Sequence, residues 1–239
     1  MSRTHPCLLV LDASSETFGV GVACRGTLVE NSGPGGSASS QHLIPAIDDA
    51  LARAGCRRDE LDAVGFCAGP GSFTGVRTAA AIAQGIARGC NIPIIAIGSL
   101  DVLAGEALRL STATMVAAVI DARMGEVYYA VYRRGKEGAL AVVREPAVAA
   151  PTVALGDIAL VIGQEQVMIA GQPGLLTGLA KAQTLELRIE PAAMLRHASS
   201  LWAAGRCVDP TDAQPIYVRN KVALTTAARD ARNAGKEAR

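Results

Sequence analysis

Two acidic residues stand where an apolar strand gives way to a turn. Asp12 follows Leu8-Leu9-Val10-Leu11, and Asp121 follows Ala117-Ala118-Val119-Ile120. Two carboxylates facing each other across a cleft, one from each half of a chain, can organise a metal ion and a phosphate. That chemistry also needs glycine-rich hairpins, because backbone N–H groups must approach the phosphate oxygens unobstructed. Here Asp12 is followed by Ala-Ser-Ser-Glu-Thr and Asp121 by Ala-Arg-Met-Gly-Glu. The second loop places Arg123, Met124 and Glu126 where bare backbone is wanted. Both aspartates are therefore expected to cap or turn their hairpins, as the remains of a degenerate cleft.

The most specific stretch is Gly69-Pro70-Gly71-Ser72-Phe73-Thr74-Gly75-Val76-Arg77, between a buried strand and a helix. Glycines there allow a tight turn, and the free N–H groups of a helix start favour an anion. Ser72 or Thr74 would serve as N-cap. It is not a Walker A loop, which requires Lys followed by Ser or Thr. As a dinucleotide fingerprint it is a loose variant after the fourth strand, and the ribose-binding acid expected beyond the next strand is missing, since Asp101 arrives late. The bland reading, a turn that admits close helix–sheet packing, explains most of the glycines. His5, His42 and His197 lie too far apart for a helical zinc motif, and no serine sits in a nucleophile elbow. No catalytic residue, metal ligand or cofactor site is expected.

The bulk properties narrow the class. Of 239 residues, half are apolar and 3% aromatic, with 23 basic against 22 acidic side chains. A core of Ala, Val, Leu and Ile suits helices on a sheet. A base-stacking RNA platform would need exposed rings, and direct phosphate neutralisation would leave a basic surplus. The six cysteines have no C-x-x-C spacing and read as small hydrophobes, with neither a zinc site nor a disulfide framework indicated. With no signal peptide and no spanning segment, the expected setting is cytoplasmic.

Strands are predicted at Cys7–Leu11, Thr17–Cys24 and Thr27–Asn31, a loop at Gly33–Ser40, and a helix at Ser40–Ala54. Strand 63–68, helix 73–88, strand 93–97 and helix 100–110 follow. Three antiparallel strands feeding right-handed crossovers make a mixed sheet with helices on its faces, the ribonuclease-H-like plan. At a constant offset of 109 positions (12 to 121), Asp12/Asp121, Ala13/Ala122, Val22/Val131, Arg25/Arg134 and Gly26/Gly135 coincide, which argues for duplication. Short strands are expected at 140–143, 159–163 and 168–171, and a helix at 192–206. The division expected is a first lobe over 1–110, a degenerate second lobe over 111–226 and a charged tail over 227–239.

The helix from Phe73 to Arg88 is apolar nearly all round, so both faces need cover. Ala81, Gly85 and Gly89 recur every four residues, a ridge that admits a second helix at close range. Neighbouring helices of the same chain are the alternative cover.

Together these residues resemble the TsaB family, also called YeaZ. The likeness rests on the loop from Gly69 to Arg77 with Ile82-Ala83-Gln84-Gly85, on Ile120-Asp121-Ala122-Arg123-Met124-Gly125-Glu126-Val127-Tyr128, and on Gln214-Pro215-Ile216-Tyr217-Val218-Arg219-Asn220. The resemblance implies an α/β, two-lobed, actin-like (ASKHA) fold of two ribonuclease-H-like subdomains, with mixed sheets flanked by helices. It implies a non-catalytic subunit of the machinery that adds threonylcarbamoyl to N6 of the adenosine beside the anticodon in ANN-decoding tRNAs. Its partners would be the catalytic paralogue TsaD and the ATPase TsaE, with tRNA reached through the complex and a homodimer forming when the chain is alone. Leu43, Ile47, Ala50 and Leu51 of one helix and Arg77, Ala81, Gln84, Gly85 and Arg88 of the next are the expected pairing surface. The rival reading is a self-sufficient ATP- or metal-dependent enzyme of the glycoprotease type, and Arg219 and Lys221 are open to direct tRNA contact.

Overall fold

The structure, a computed structural model, describes residues 6–36, 39–136, 139–179 and 182–219. Strands β1 (Leu8–Asp12), β2 (Thr17–Cys24) and β3 (Thr27–Pro34) form an antiparallel meander. β1 is buried end to end because both its faces are covered, which is why its sequence does not alternate. Helix α1 (Ser39–Arg53) crosses over to β4 (Ala63–Gly69), and α2 (Phe73–Cys90) crosses to β5 (Ile94–Gly98). β4 runs parallel to both β1 and β5, giving the order β3-β2-β1-β4-β5.

Helix α3 (Ser99–Leu110) leads to a second meander of β6 (Met115–Asp121), β7 (Val127–Arg134) and β8 (Leu140–Ala149). Helix α4 (Pro151–Ile162) then precedes β9 (Met168–Gly171) and β10 (Gln183–Glu186), and α5 (Pro191–Ala203) follows. This sheet is ordered β10-β9-β6-β7-β8, with β9 parallel to β6 and β10. Position for position it repeats the first sheet. The constant offset between Asp12 and Asp121 therefore reflects two copies of one topology, and each Asp ends the central strand of its sheet.

The copies differ where the sequence signal weakens. Residues 159–163, expected as a strand, fall at the end of α4. Its Ala154, Ile158 and Ile162 recur every four residues and are buried on one side, while Pro151 sets its first turn. β3 runs on through Gly33 to Pro34 instead of ending in a loop at Gly33. A Cβ on Gly33 would lie 2.7 Å from the Phe18 ring, so glycine lets the ring lie over the strand. β9 and β10 are joined through a short 3-10 turn at Pro173–Leu175, where the first lobe has α2. The tail over 227–239 and Lys221 lie outside the described residues.

The helices cross between lobes. Leu100, Leu103, Ala104, Ala107 and Leu108 of α3 pack on β6, β7 and β9 of the second sheet. Ala193, Met194, Leu195 and Ala198 of α5 pack on β1, β4 and β5 of the first. A cut at 110/111 follows the strands but not this exchange, which ties the two sheets together by their own cores. On the other face of the first sheet, α1 and α2 close the largest cluster, from Leu9 and Leu11 to Leu43, Ile47, Phe66, Ala79 and Ala83. No helix among the described residues is long and apolar enough to cross a membrane.

Two of the cysteines expected as separate small hydrophobes are in fact bonded to each other. Cys7 and Cys24 are joined by a disulfide, with Cα atoms 4.2 Å apart. Leu8 pairs with Ala23, so the register sets Cys7 opposite Cys24. A separation of 17 residues holds no such signal until the hairpin register is known.

Candidate functional site

The loop singled out by sequence is pressed against the turn that follows Asp12. Gly69 ends β4 with a left-handed φ of +98°, and the Gly69–Pro70 peptide is cis. A Cβ on Gly71 would stand 2.7 Å from the Ser14 carbonyl oxygen, and one on Gly75 only 1.7 Å from that of Ala13. Glycine is thus required here so that backbone can lie on backbone. Three N–H groups of this loop and helix start are bonded within the chain. Ser72 N–H donates to Ser14 O at 2.8 Å, Gly75 N–H to the Ser72 hydroxyl at 3.4 Å, and Val76 N–H to Ser72 O at 2.9 Å. Ser72 is therefore the N-cap of α2, and Ser99 Oγ pins the loop from below by donating to Pro70 O at 2.6 Å.

Asp12 is buried at the centre of this contact. Its Oδ1 accepts the Ser14 N–H at 2.8 Å, and the Cys67 thiol donates to the Ser14 hydroxyl at 3.4 Å. Burial raises the Asp12 carboxyl above its ordinary range, and hydrogen bonds at Ser14 offset this only in part. The Cys67 thiol is pushed well up by burial and then by Asp12. Asp121 lies half-buried at the equivalent place. Its Oδ1 accepts the Arg123 N–H at 2.7 Å, the Arg123 guanidinium stands 3.4 Å from its other oxygen, and its own N–H donates to Gln172. Arg123, Met124 and Gly125 all have left-handed φ, so the hairpin turns with two side chains projecting, and Arg123 reaches on to Glu16 of the first lobe at 3.0 Å.

A segment whose role was not legible in the sequence straps these turns together. Gln84 Nε2 donates to Ala213 O at 2.8 Å, and Ile216 N–H donates to Ala68 O at 2.7 Å. Arg77 Nε donates to the Tyr217 hydroxyl at 3.0 Å, with the guanidinium 3.8 Å above the Phe73 ring. Arg219 ends the strap on the second lobe, donating to Ala122 O at 3.0 Å and pairing with Glu126 at 2.7 Å. The Gln214–Arg219 part of the resemblance therefore belongs to the same site as the glycine loop, and Arg219 is engaged within the chain. Only its sequence remoteness hid the connection.

The expected pairing residues divide into two groups. Leu43, Ile47, Ala50 and Leu51 are buried under α1 against the first sheet, so they cannot meet a partner. The apolar stripe that announced the helix is the face its own core consumes. α1 instead turns Ile44, Pro45, Asp48 and Asp49 outward. On α2, Arg77, Ala81, Gly85 and Arg88 are exposed along one side, and Gln84 is half-buried at the strap. A Cβ added at Gly85 or Gly89 would meet nothing within 4 Å. Phe73 is 60% exposed and Tyr217 51%, so two rings stand at the head of this flat ridge.

A sequence model of the family described as TsaD, tRNA N6-adenosine threonylcarbamoyltransferase, matches residues 35–165. The tRNA threonylcarbamoyladenosine biosynthesis protein TsaB of Escherichia coli is 35% identical over 222 residues, covering 90% of this chain and 96% of that one. The chain belongs to the TsaB family. The TsaB protein of Haemophilus influenzae is 42% identical over 129 residues, 54% of this chain and 55% of its own. Two solved structures from Pseudomonas aeruginosa share the fold. YeaZ has a TM-score of 0.77 at 31% identity over 89% of this chain and 99% of that one. A protein described as similar to peptidase YeaZ has a TM-score of 0.78 at 30% identity, over 90% and 100%. The two-lobed α/β architecture expected for a TsaB-family chain is thus the one observed.

Two outcomes test this geometry. Gly75→Ala is expected to cost more than about 3 kcal/mol in urea unfolding, while Gly89→Ala, in open space, gains up to about 1 kcal/mol. For Asp12, the folded carboxyl keeps its proton to higher pH than the unfolded one, so it lowers stability as pH rises from the ordinary 3.8 through the raised value. Asp12→Asn keeps the acceptor for Ser14 and should melt above wild type at about pH 7.5, the gap closing below about pH 4. A gap that persists in acid would show that burial of the charge is not its cause.

Proposed function

We propose that this chain is a subunit of the bacterial machinery that builds N6-threonylcarbamoyladenosine in tRNA, and that it supplies no catalytic group. It acts by pairing with a TsaD-type paralogue through the outer faces of α1 and α2, and a TsaE-type ATPase joins the assembly. The tRNA is contacted through the complex, the setting is cytoplasmic, and the same face self-pairs when the paralogue is absent. One observation carries this reading: the exposed ridge of Ala81, Gly85 and Gly89, with open space above both glycines. Small residues at four-residue spacing let a facing helix approach closely. A duplicated fold with a paralogous partner brings equivalent helices together about a pseudo-twofold axis.

The cleft supports the non-catalytic half of the proposal. The N–H groups of Ser72, Gly75 and Val76 are bonded within the chain, and Arg123 and Met124 project from the second hairpin. Isothermal titration of the isolated chain with ATP and magnesium is expected to give no tight binding. Tight binding that Asp12→Asn abolishes would replace the proposal with the self-sufficient enzyme.

Gly85→Leu tests the surface. The side chain has room in the single chain and improves helix propensity by about 1 kcal/mol, so melting should not fall. At a close helix contact the added volume costs about 1–3 kcal/mol or more, and co-purification with the paralogue is expected to be lost. Undiminished co-purification would move the interface elsewhere.

A further inference from the structure

At the opposite end of β1 from Asp12, three cysteine side chains meet that neither the cleft nor the pairing face uses. Cys7 precedes β1, Cys24 closes β2 and Cys56 follows α1, and their sulfur atoms all lie within 4.8 Å of one another. Their exposures are 2%, 2% and 5%. Cys7 and Cys24 are bonded to each other, while the Cys56 thiol donates to the Arg57 carbonyl at 3.5 Å. Arg25, next to Cys24, pairs with Glu60, four residues past Cys56, so the loops that present the sulfurs are tied together.

A three-coordinate ion with metal–sulfur bonds of about 2.3 Å holds its sulfurs about 4 Å apart, within the spread found here. Among the described residues no carboxylate or imidazole joins the group at that distance. All-sulfur donor sets select soft cations, Cu(I) above all where no fourth ligand is offered, over Mg²⁺ or Ca²⁺. We propose that, once reduced, Cys7, Cys24 and Cys56 form a three-thiolate site for Cu(I). A dithiol reductant delivers two electrons and two protons to the Cys7–Cys24 bond and leaves as its own disulfide. The copper ion then forms three Cu–S bonds and displaces three thiol protons to water. Such a centre fastens the end of α1 to the first sheet, and because the folded chain brings the three sulfurs together, binding favours the fold by mass action.

The test uses the full chain, reduced, freed of reductant and kept anaerobic, titrated with Cu(I) against a chromophoric Cu(I) chelator. One copper per chain is expected by native mass spectrometry. Cys56→Ser and Cys24→Ser should each weaken binding by more than about 100-fold, since loss of even an outer partner of a ligand costs about 10–100-fold. Cys90→Ser, outside the cluster, should change nothing. X-ray absorption on the wild-type chain should count three sulfur neighbours, a readout that needs no variant to fold. Equal affinity in Cys56→Ser, two sulfur neighbours, or no copper retained by the wild type would each overturn the proposal.

Discussion

Where β1 and β4 end, main chain lies directly on main chain, and much else in the molecule follows from that contact. The turn after Asp12 and the glycine loop before α2 approach so closely that Gly71 and Gly75 cannot carry a side chain without displacing Ser14 or Ala13. That closeness fixes the start of α2 and, through the Ser72 cap, the direction of the helix. It also shapes the cleft. The neighbouring turn takes the Ser72 N–H, while the Ser72 carbonyl and hydroxyl take those of Val76 and Gly75. Asp12 is left buried, its Oδ1 holding the Ser14 N–H, and burial raises its carboxyl above the ordinary range.

The strap extends this contact from one lobe to the other. Residues 213–219 hydrogen-bond first to α2, next to the end of β4, then through Tyr217 to Arg77, and last through Arg219 to the hairpin of Asp121. With α3 on the second sheet and α5 on the first, the lobes are joined at both ends. Lobe closure around a nucleotide requires a hinge that these joints oppose. What remains available is the outer side of α2, kept flat by Ala81 and two glycines and headed by Phe73, Arg77 and Tyr217. In the proposed role the lobes serve as a rigid mount for that surface.

The duplication shows how such a mount differs from its second copy. Both sheets share one strand order, but among the described residues the crossover between β9 and β10 holds only a 3-10 turn, whereas the one between β4 and β5 is an eighteen-residue helix. The first lobe alone therefore presents the two-helix face. A buried sheet face has to be covered by some element, and in the second lobe α3, exchanged from the first, covers part of it.

Much of this was legible in the residues. Unbroken apolar runs marked β1, β4 and β5, because strands covered on both faces need no alternation, and helical spacing located α1 and α2 to within two residues. The capping serine, the glycine loop, the degenerate hairpin and the repeat at an offset of 109 were likewise local in character. The weak second half misled: residues 159–162 are helical and Gly163 caps the helix, since a short apolar run has no period long enough to choose between helix and strand. The role of Leu43 and Ile47 was misassigned because an apolar stripe states that a face will be buried without saying by what. Chain sequence fixed local conformation, fold class and the family to which the chain belongs. Only tertiary structure decided which partner each face found, that Cys7 meets Cys24 and Cys56, and that a remote segment ties the two turns together. Those contacts depend on strand register and crossover geometry, which no short stretch of sequence encodes.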